Sequence, residues 1–220
     1  MASTLTAHPS VSASATDRSI AWARANQKLL LIAGSVLAAA ILVTWFLATA
    51  KSRREDFANR SLNQARNIAE AGNIPAASTE FQKIIDTYGG TPAAKEAEIS
   101  LNQLRLISGQ SELAVVRLRE FVASNPGPQF AAAANALLGA ALENVNRAAE
   151  AGDVYTAASN VAPVDYLKAE YLVQAGRAYT AAGKPDQAAA AYRTVVETFA
   201  KTGPFTEAQV RLAEITKGKL

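Results

Sequence analysis

The sequence predicts an all-α protein: a single membrane-length helix near the N-terminus, then an α-solenoid of about four helical hairpins and a C-terminal capping helix. Three observations lead there. Residues 29–50, LLLIAGSVLAAAILVTWFLATA, contain no charged side chain. Half the residues are apolar although only 7% are aromatic, and the abundant alanine has the highest helix propensity. A pattern of small and large apolar residues recurs every 37 positions from residue 58 onward, and such self-similarity marks stacked supersecondary units. No period-2 alternation persists long enough to specify a sheet.

The first element is the apolar run. Twenty-two residues at a helical rise span about 33 Å, sufficient for a hydrocarbon core of about 30 Å. Trp22 precedes the run and Trp45-Phe46 lies near its other end, as expected of interfacial aromatic belts. Ala48-Thr49-Ala50 has the small-x-small form of a signal-peptidase site, but the run exceeds a usual signal core of about 7–15 residues. A retained anchor is therefore expected. The six basic residues Arg18, Arg24, Lys28, Lys51, Arg53 and Arg54 flank the run, with no acid between Arg18 and Arg54. From Glu55 onward, 16 basic face 18 acidic residues. The net charge of +3 thus belongs to the flanks of the apolar helix, and no phosphate-neutralising nucleic-acid surface is indicated. Basic groups on both flanks leave the orientation undetermined by charge. Gly34 and Ala38 form a small-xxx-small pair suited to packing against another membrane helix.

The repeats follow. Ala188, Tyr192 and Val195 form one pattern, small–large–large at spacings of four and three. Ala151, Tyr155 and Ala158 lie 37 residues earlier, then Ala114, Leu118 and Phe121, then Ala77, Phe81 and Ile84. The small residue lets the second helix of a unit approach the first, and the large ones fill the gap to the next unit, since no hairpin buries its apolar face alone. The expected division is a polar tail with a short amphipathic lead (1–27), the apolar helix (28–50), a basic juxtamembrane linker (51–57), four repeats (58–94, 95–131, 132–168 and 169–204) and a capping helix with tail (205–220). The period puts Gly72, Gly109, Asn146 and Gly183 at the turn inside each unit. It leaves Gly152 within a second helix, at a propensity cost of about 1 kcal/mol. The local text AEAGDV (149–154) argues otherwise, because it resembles the true turn AEAGNI (69–74) and would end the first helix at Gly152.

On these motifs the region 58–216 resembles a tetratricopeptide repeat domain. The whole chain resembles the single-pass inner-membrane family that includes the ancillary subunit of the bacterial Sec translocon. The shared plan is a short tail, a lead such as AWARANQKLLLIAG, one membrane helix, and repeats to the end. The resemblance implies a bacterial plasma-membrane protein with a cytoplasmic N-terminus and periplasmic repeats, whose partners are translocon subunits, chaperones or exported chains. The basic run Lys51–Arg54 departs from that family's positive-inside pattern.

Chemistry is absent from the sequence. There is no cysteine, which excludes thiol catalysis and thiolate metal sites. The single histidine, His8, lies in a Ser/Thr/Ala-rich tail where a solvated side chain is expected. No phosphate-binding glycine loop or metalloprotease or hydrolase motif occurs, so neither cofactor nor metal nor enzymatic activity is expected. Function is then expected from a surface, the concave face lined by the first helix of each unit. The register puts Asn59, Arg66, Glu96, Gln103, Glu143, Asn144, Glu170 and Arg177 there as a candidate partner groove. Arg66 and Arg177 stand out because a guanidinium can hold a carboxylate bidentately. The alternative is a structural accessory subunit of another membrane complex, docked through the Gly34/Ala38 face.

Overall fold

The computed structural model describes residues 15–218, all of whose regular elements are helices. His8 lies outside the described residues. The chain divides into two units, Met1–Arg53 and Arg54–Leu220, taken in turn.

The first unit holds α1 (Ala15–Ala25) and the beginning of α2 (Gln27–Glu70). Asn26 separates them, its backbone N–H and side-chain amide both donating to Trp22 O at 3.0 and 2.9 Å. Among the described residues, α2 is the one helix long and apolar enough to cross a membrane, and the side chains of its apolar stretch are exposed. The hydroxyls of Ser35, Thr44 and Thr49 donate to the carbonyls four residues earlier at 2.8–2.9 Å. That satisfies them inside the helix, as an apolar surrounding would require. A Cβ added to Gly34 would meet nothing within 4 Å.

In the second unit, the end of α2 pairs with α3 (Ile74–Tyr88). Then follow α4 (Pro92–Ile107) with α5 (Ser111–Ala123), α6 (Pro128–Asn144) with α7 (Ala148–Val161), α8 (Asp165–Ala181) with α9 (Pro185–Thr198), and α10 (Phe205–Thr216). The second helices begin at Ile74, Ser111, Ala148 and Pro185, 37 residues apart. The turn before each carries a left-handed residue: Gly72 (φ 81°), Gly109 (73°), Asn146 (59°) and Gly183 (70°). Asparagine serves the third turn because it tolerates this conformation better than other side-chain-bearing residues. Residues 51–57, expected as a linker, are helical within α2. The Arg54 guanidinium donates to Thr87 O and Gly89 O at 3.2 and 3.3 Å, a cation on the carbonyl end of α3. This explains a basic residue here without reference to membrane orientation.

The repeat signature is the core. Ala77, Ala114, Ala151 and Ala188 are fully buried, and so, to within a few per cent, are Phe81, Leu118, Tyr155 and Tyr192 four residues on. Gly152 lies inside an unbroken α7. Its missing side chain makes room for the Tyr179 ring: a Cβ there would lie 2.5 Å from Cε1. The periodic signal therefore prevailed over the local one. Gly139 and Gly176 accept Tyr155 and Tyr192 in the same way, at 2.6 and 2.5 Å. α10 closes the array with Ala208 and Leu212 turned into the core.

Candidate partner groove

The first helices of successive hairpins lie side by side, so residues 37 apart come to equivalent places along them. Two such places matter. One is occupied by Arg66, Gln103, Ala140 and Arg177; the other by Asn59, Glu96, Ala133, Glu170 and, on α10, Glu207. At both ends of the array these places are bridged. Arg66 Nη2 lies 2.6 Å from Glu96 Oε2. Arg177 donates from Nε and Nη2 to the two carboxylate oxygens of Glu207 at 2.7 and 2.6 Å. The hydrogen bond to Glu207 is the main reason the Arg177 pKa rises. Both pairs are 30 residues apart in sequence, and one is the other displaced by three repeats.

In the middle of the array, alanine replaces one member of each bridging pair, Ala133 opposite Gln103 and Ala140 opposite Glu170, and a groove of about 520 Å³ opens. Its floor is a stripe of α6, the exposed Ala133 and the half-buried Ala136, Leu137 and Ala140. Ile99 and Gln103 of α4 form one wall, Gln174 and Arg177 of α8 the other, with Glu143 and Tyr155 at one end. The Tyr155 hydroxyl donates to Glu143 Oε2 at 2.7 Å. Burial, reinforced by that carboxylate, pushes the phenol pKa well up, so the group stays neutral and the carboxylate stays fixed. Gln174 Nε2 donates to Glu170 Oε1 at 3.1 Å. The arrangement offers amide and carboxylate groups on two sides of a small-residue floor. It can receive a polypeptide segment and hydrogen-bond its backbone, and among the described residues no cluster of three metal-ligating side chains forms.

Of the residues singled out in the sequence, Gln103, Glu143 and Arg177 line this groove. Arg66 and Glu96 pair with each other at the first end. Asn144 donates to Ser111 Oγ at 3.3 Å, tying α6 to the start of α5; Glu170 lies behind Gln174; Asn59 is exposed on α2. The two arginines selected for holding a carboxylate do hold one, supplied by this chain. Ala133, Ala140, Gln174 and Tyr155 were missed. The two alanines were findable, since they lie one repeat from Glu96 and Gln103, but a search for polar groups passes over the place where polar groups are absent.

The sequence matches the family described as a tetratricopeptide repeat-like domain over residues 21–217. Comparison with curated proteins finds no match. Among solved structures, the chain is similar to the MamA protein (TM-score 0.57, 20% identity, 74% of this chain and 82% of that one). It is also similar to a Podosopora anserina putative kinesin light chain with nearly identical TPR-like repeats (TM-score 0.58, 18% identity, 73% and 85%). A tetratricopeptide repeat protein from Parabacteroides merdae is similar as well (TM-score 0.58, 11% identity, 73% and 60%). At these identities the likeness is one of fold.

Proposed function

The chain belongs to the tetratricopeptide repeat-like domain family, and from that premise we propose that it is a membrane-anchored protein–protein interaction module. It scaffolds or assists proteins at the cell envelope, near the Sec translocon or periplasmic chaperones. The observation that carries this reading is the groove over α4, α6 and α8, kept open by alanines where both ends of the array are clasped by arginine–glutamate pairs. Solenoids of this kind present extended binding surfaces built from repeated helices. A floor of small side chains lets a partner backbone approach closely, and Gln103, Gln174 and Glu143 satisfy its polar groups. The apolar stretch of α2 is the anchor, and the resemblance of the chain plan supports a cytoplasmic N-terminus with periplasmic repeats in a bacterial inner membrane. The small-xxx-small pair Gly34 and Ala38 motivates a second reading in which the anchor packs on a helix of a larger membrane complex.

The test is photo-crosslinking from Ala136 and Ala140 in the full-length chain in native membranes. Translocon subunits, chaperones or exported chains captured from these two positions are expected. Crosslinks to none of them would overturn the reading, as would protection of the repeats from protease in intact cells and in spheroplasts alike.

A further inference from the structure

A larger groove, of about 840 Å³, runs along the outward side of α3 and shares no lining residue with the first. The chain contains its own control for it. Between α7 and α9, two repeats further on, the corresponding seam holds a cavity of only about 240 Å³, and the two cavities share the repeat-related positions of Gln82/Thr156, Arg105/Tyr179 and Leu113/Gln187. The later seam is closed by its own side chain. The Tyr179 ring lies on Gly152 and its hydroxyl donates to Asp153 Oδ1 at 2.7 Å. In the middle seam Leu142 occupies the place of Tyr179 and is fully buried. In the first seam that place is taken by Arg105, and the place of Gly152 by Ser78.

Arg105 does not close the seam. Its Nη1 donates to Asn102 Oδ1 at 2.9 Å, within its own helix, and it makes no ion pair among the described residues although it is half-buried. Burial and then the charge of Arg117 push its pKa down, partly offset by Glu98, the direction of a cation short of counter-charge. The other charges of the groove have partners: Lys83 lies 3.5 Å from Glu80, and Asp86 accepts from Gln82 at 2.9 Å. Beside them α5 exposes Leu113 and Val116, at places where the two later hairpins carry Glu150 and Gln187, and Asp153 and Ala190.

We propose that the groove between α3 and α5 is a second docking surface, taking an acidic partner segment that inserts a large apolar or aromatic side chain and sets a carboxylate on Arg105. The ring supplies what Tyr179 supplies in the later seam, and the carboxylate completes the guanidinium's hydrogen bonding. This surface is independent of the groove over α6.

The probe is an array of twelve-residue peptides in which Tyr, Phe or Leu is followed at each short spacing by Asp or Glu, with Asn and Gln counterparts. Their binding to the detergent-solubilised full-length chain is read by fluorescence polarisation. Acidic peptides are expected to bind, their counterparts to bind more weakly, and Arg105→Gln to weaken the acidic set about tenfold or more. Combining Arg105→Tyr with Ser78→Gly rebuilds the closed seam and should abolish binding while raising the melting temperature. Ala140→Arg, which fills the other groove, should leave peptide binding unchanged. Binding indifferent to Arg105→Gln, equal binding of the amide counterparts, or no binding by any acidic peptide would overturn the proposal.

Discussion

The two halves of the repeat domain solve one packing problem differently. Where first and second helices of a hairpin cross, the first helix contributes Ala65, Asn102, Gly139 and Gly176 in turn, and the second contributes Phe81, Leu118, Tyr155 and Tyr192. In the C-terminal half a tyrosine ring lies directly on a glycine, and most buried residues from Ala114 to Leu212 form one core, with Phe121, Phe130 and Ala134 in a small cluster of their own. In the N-terminal half the core from Ala58 to Leu104 is a separate cluster. At the boundary is the fully buried Asn102, whose amide donates to Glu98 O and whose carbonyl accepts from Arg105, both at 2.9 Å. One polar residue at a crossing place commits its neighbourhood to hydrogen bonding, and it draws Arg105 along its own helix instead of across the seam. With Arg105 so held, the α3 groove stays open.

Removing a large residue from each core should have the largest effect. Phe81→Ala and Tyr192→Ala should each cost about 3–5 kcal/mol. Hydrogen exchange should show the first loosening residues 58–104 and the second residues 114–212. Equal loss of protection in both halves would mean a single cooperative core and would erase the distinction.

A smaller effect separates packing from helix propensity. Gly176→Ala gains about 1 kcal/mol of propensity, yet its Cβ would lie 2.5 Å from the Tyr192 ring. A net loss of about 1–3 kcal/mol is expected in chemical denaturation, relieved when Tyr192→Leu is added. A stabilised single variant would show that the ring is free to move aside.

The smallest effect at neutral pH concerns the phenols. Burial is the first cause raising the pKa of Tyr155, Tyr171, Tyr179 and Tyr192 above the ordinary 10.0. Above pH 10 the unfolded chain releases these protons while the folded chain retains them. Their stabilisation is therefore complete below that pH and is lost as pH rises toward the folded values. The melting temperature should be insensitive to these groups below pH 10 and fall above it. Protection should fail first in the C-terminal half, and phenolate absorbance should rise together with unfolding. Early phenolate formation in a folded protein would contradict the buried-ring account.

The extents of the helices were legible because repetition averages out local noise. One glycine-containing stretch cannot decide between a turn and a helix interior, but four places 37 residues apart can. That is why Asn146 was recognisable as a turn and Gly152 as interior. One long apolar helix near the N-terminus was legible for a simpler reason: residues 29–50 carry no charge and no proline. The groove was only partly legible. Sequence reasoning selects side chains able to bind: it selected Asn59 and Arg66, Glu96 and Gln103, and Glu170 and Arg177 at the two repeat-related places, but on α6 it selected Glu143 and Asn144 instead of Ala133 and Ala140. It could not tell that Arg66 finds Glu96 and that Arg177 finds Glu207, because those pairings depend on how closely neighbouring hairpins stack.

The periodic part of the fold, its helices, their turns, the buried alanines and the large residues that follow them, is written locally, since each depends on propensity and a repeated pattern of burial. Which repeat-related places the chain closes and which it leaves open is settled only when the hairpins stack. Closure depends on the pairing of two residues some 30 positions apart: a ring on a glycine, or a guanidinium on a carboxylate. Ala133 and Ala140 open one surface, and Arg105 opens the other, at the place where the later repeats set the buried Leu142 and Tyr179.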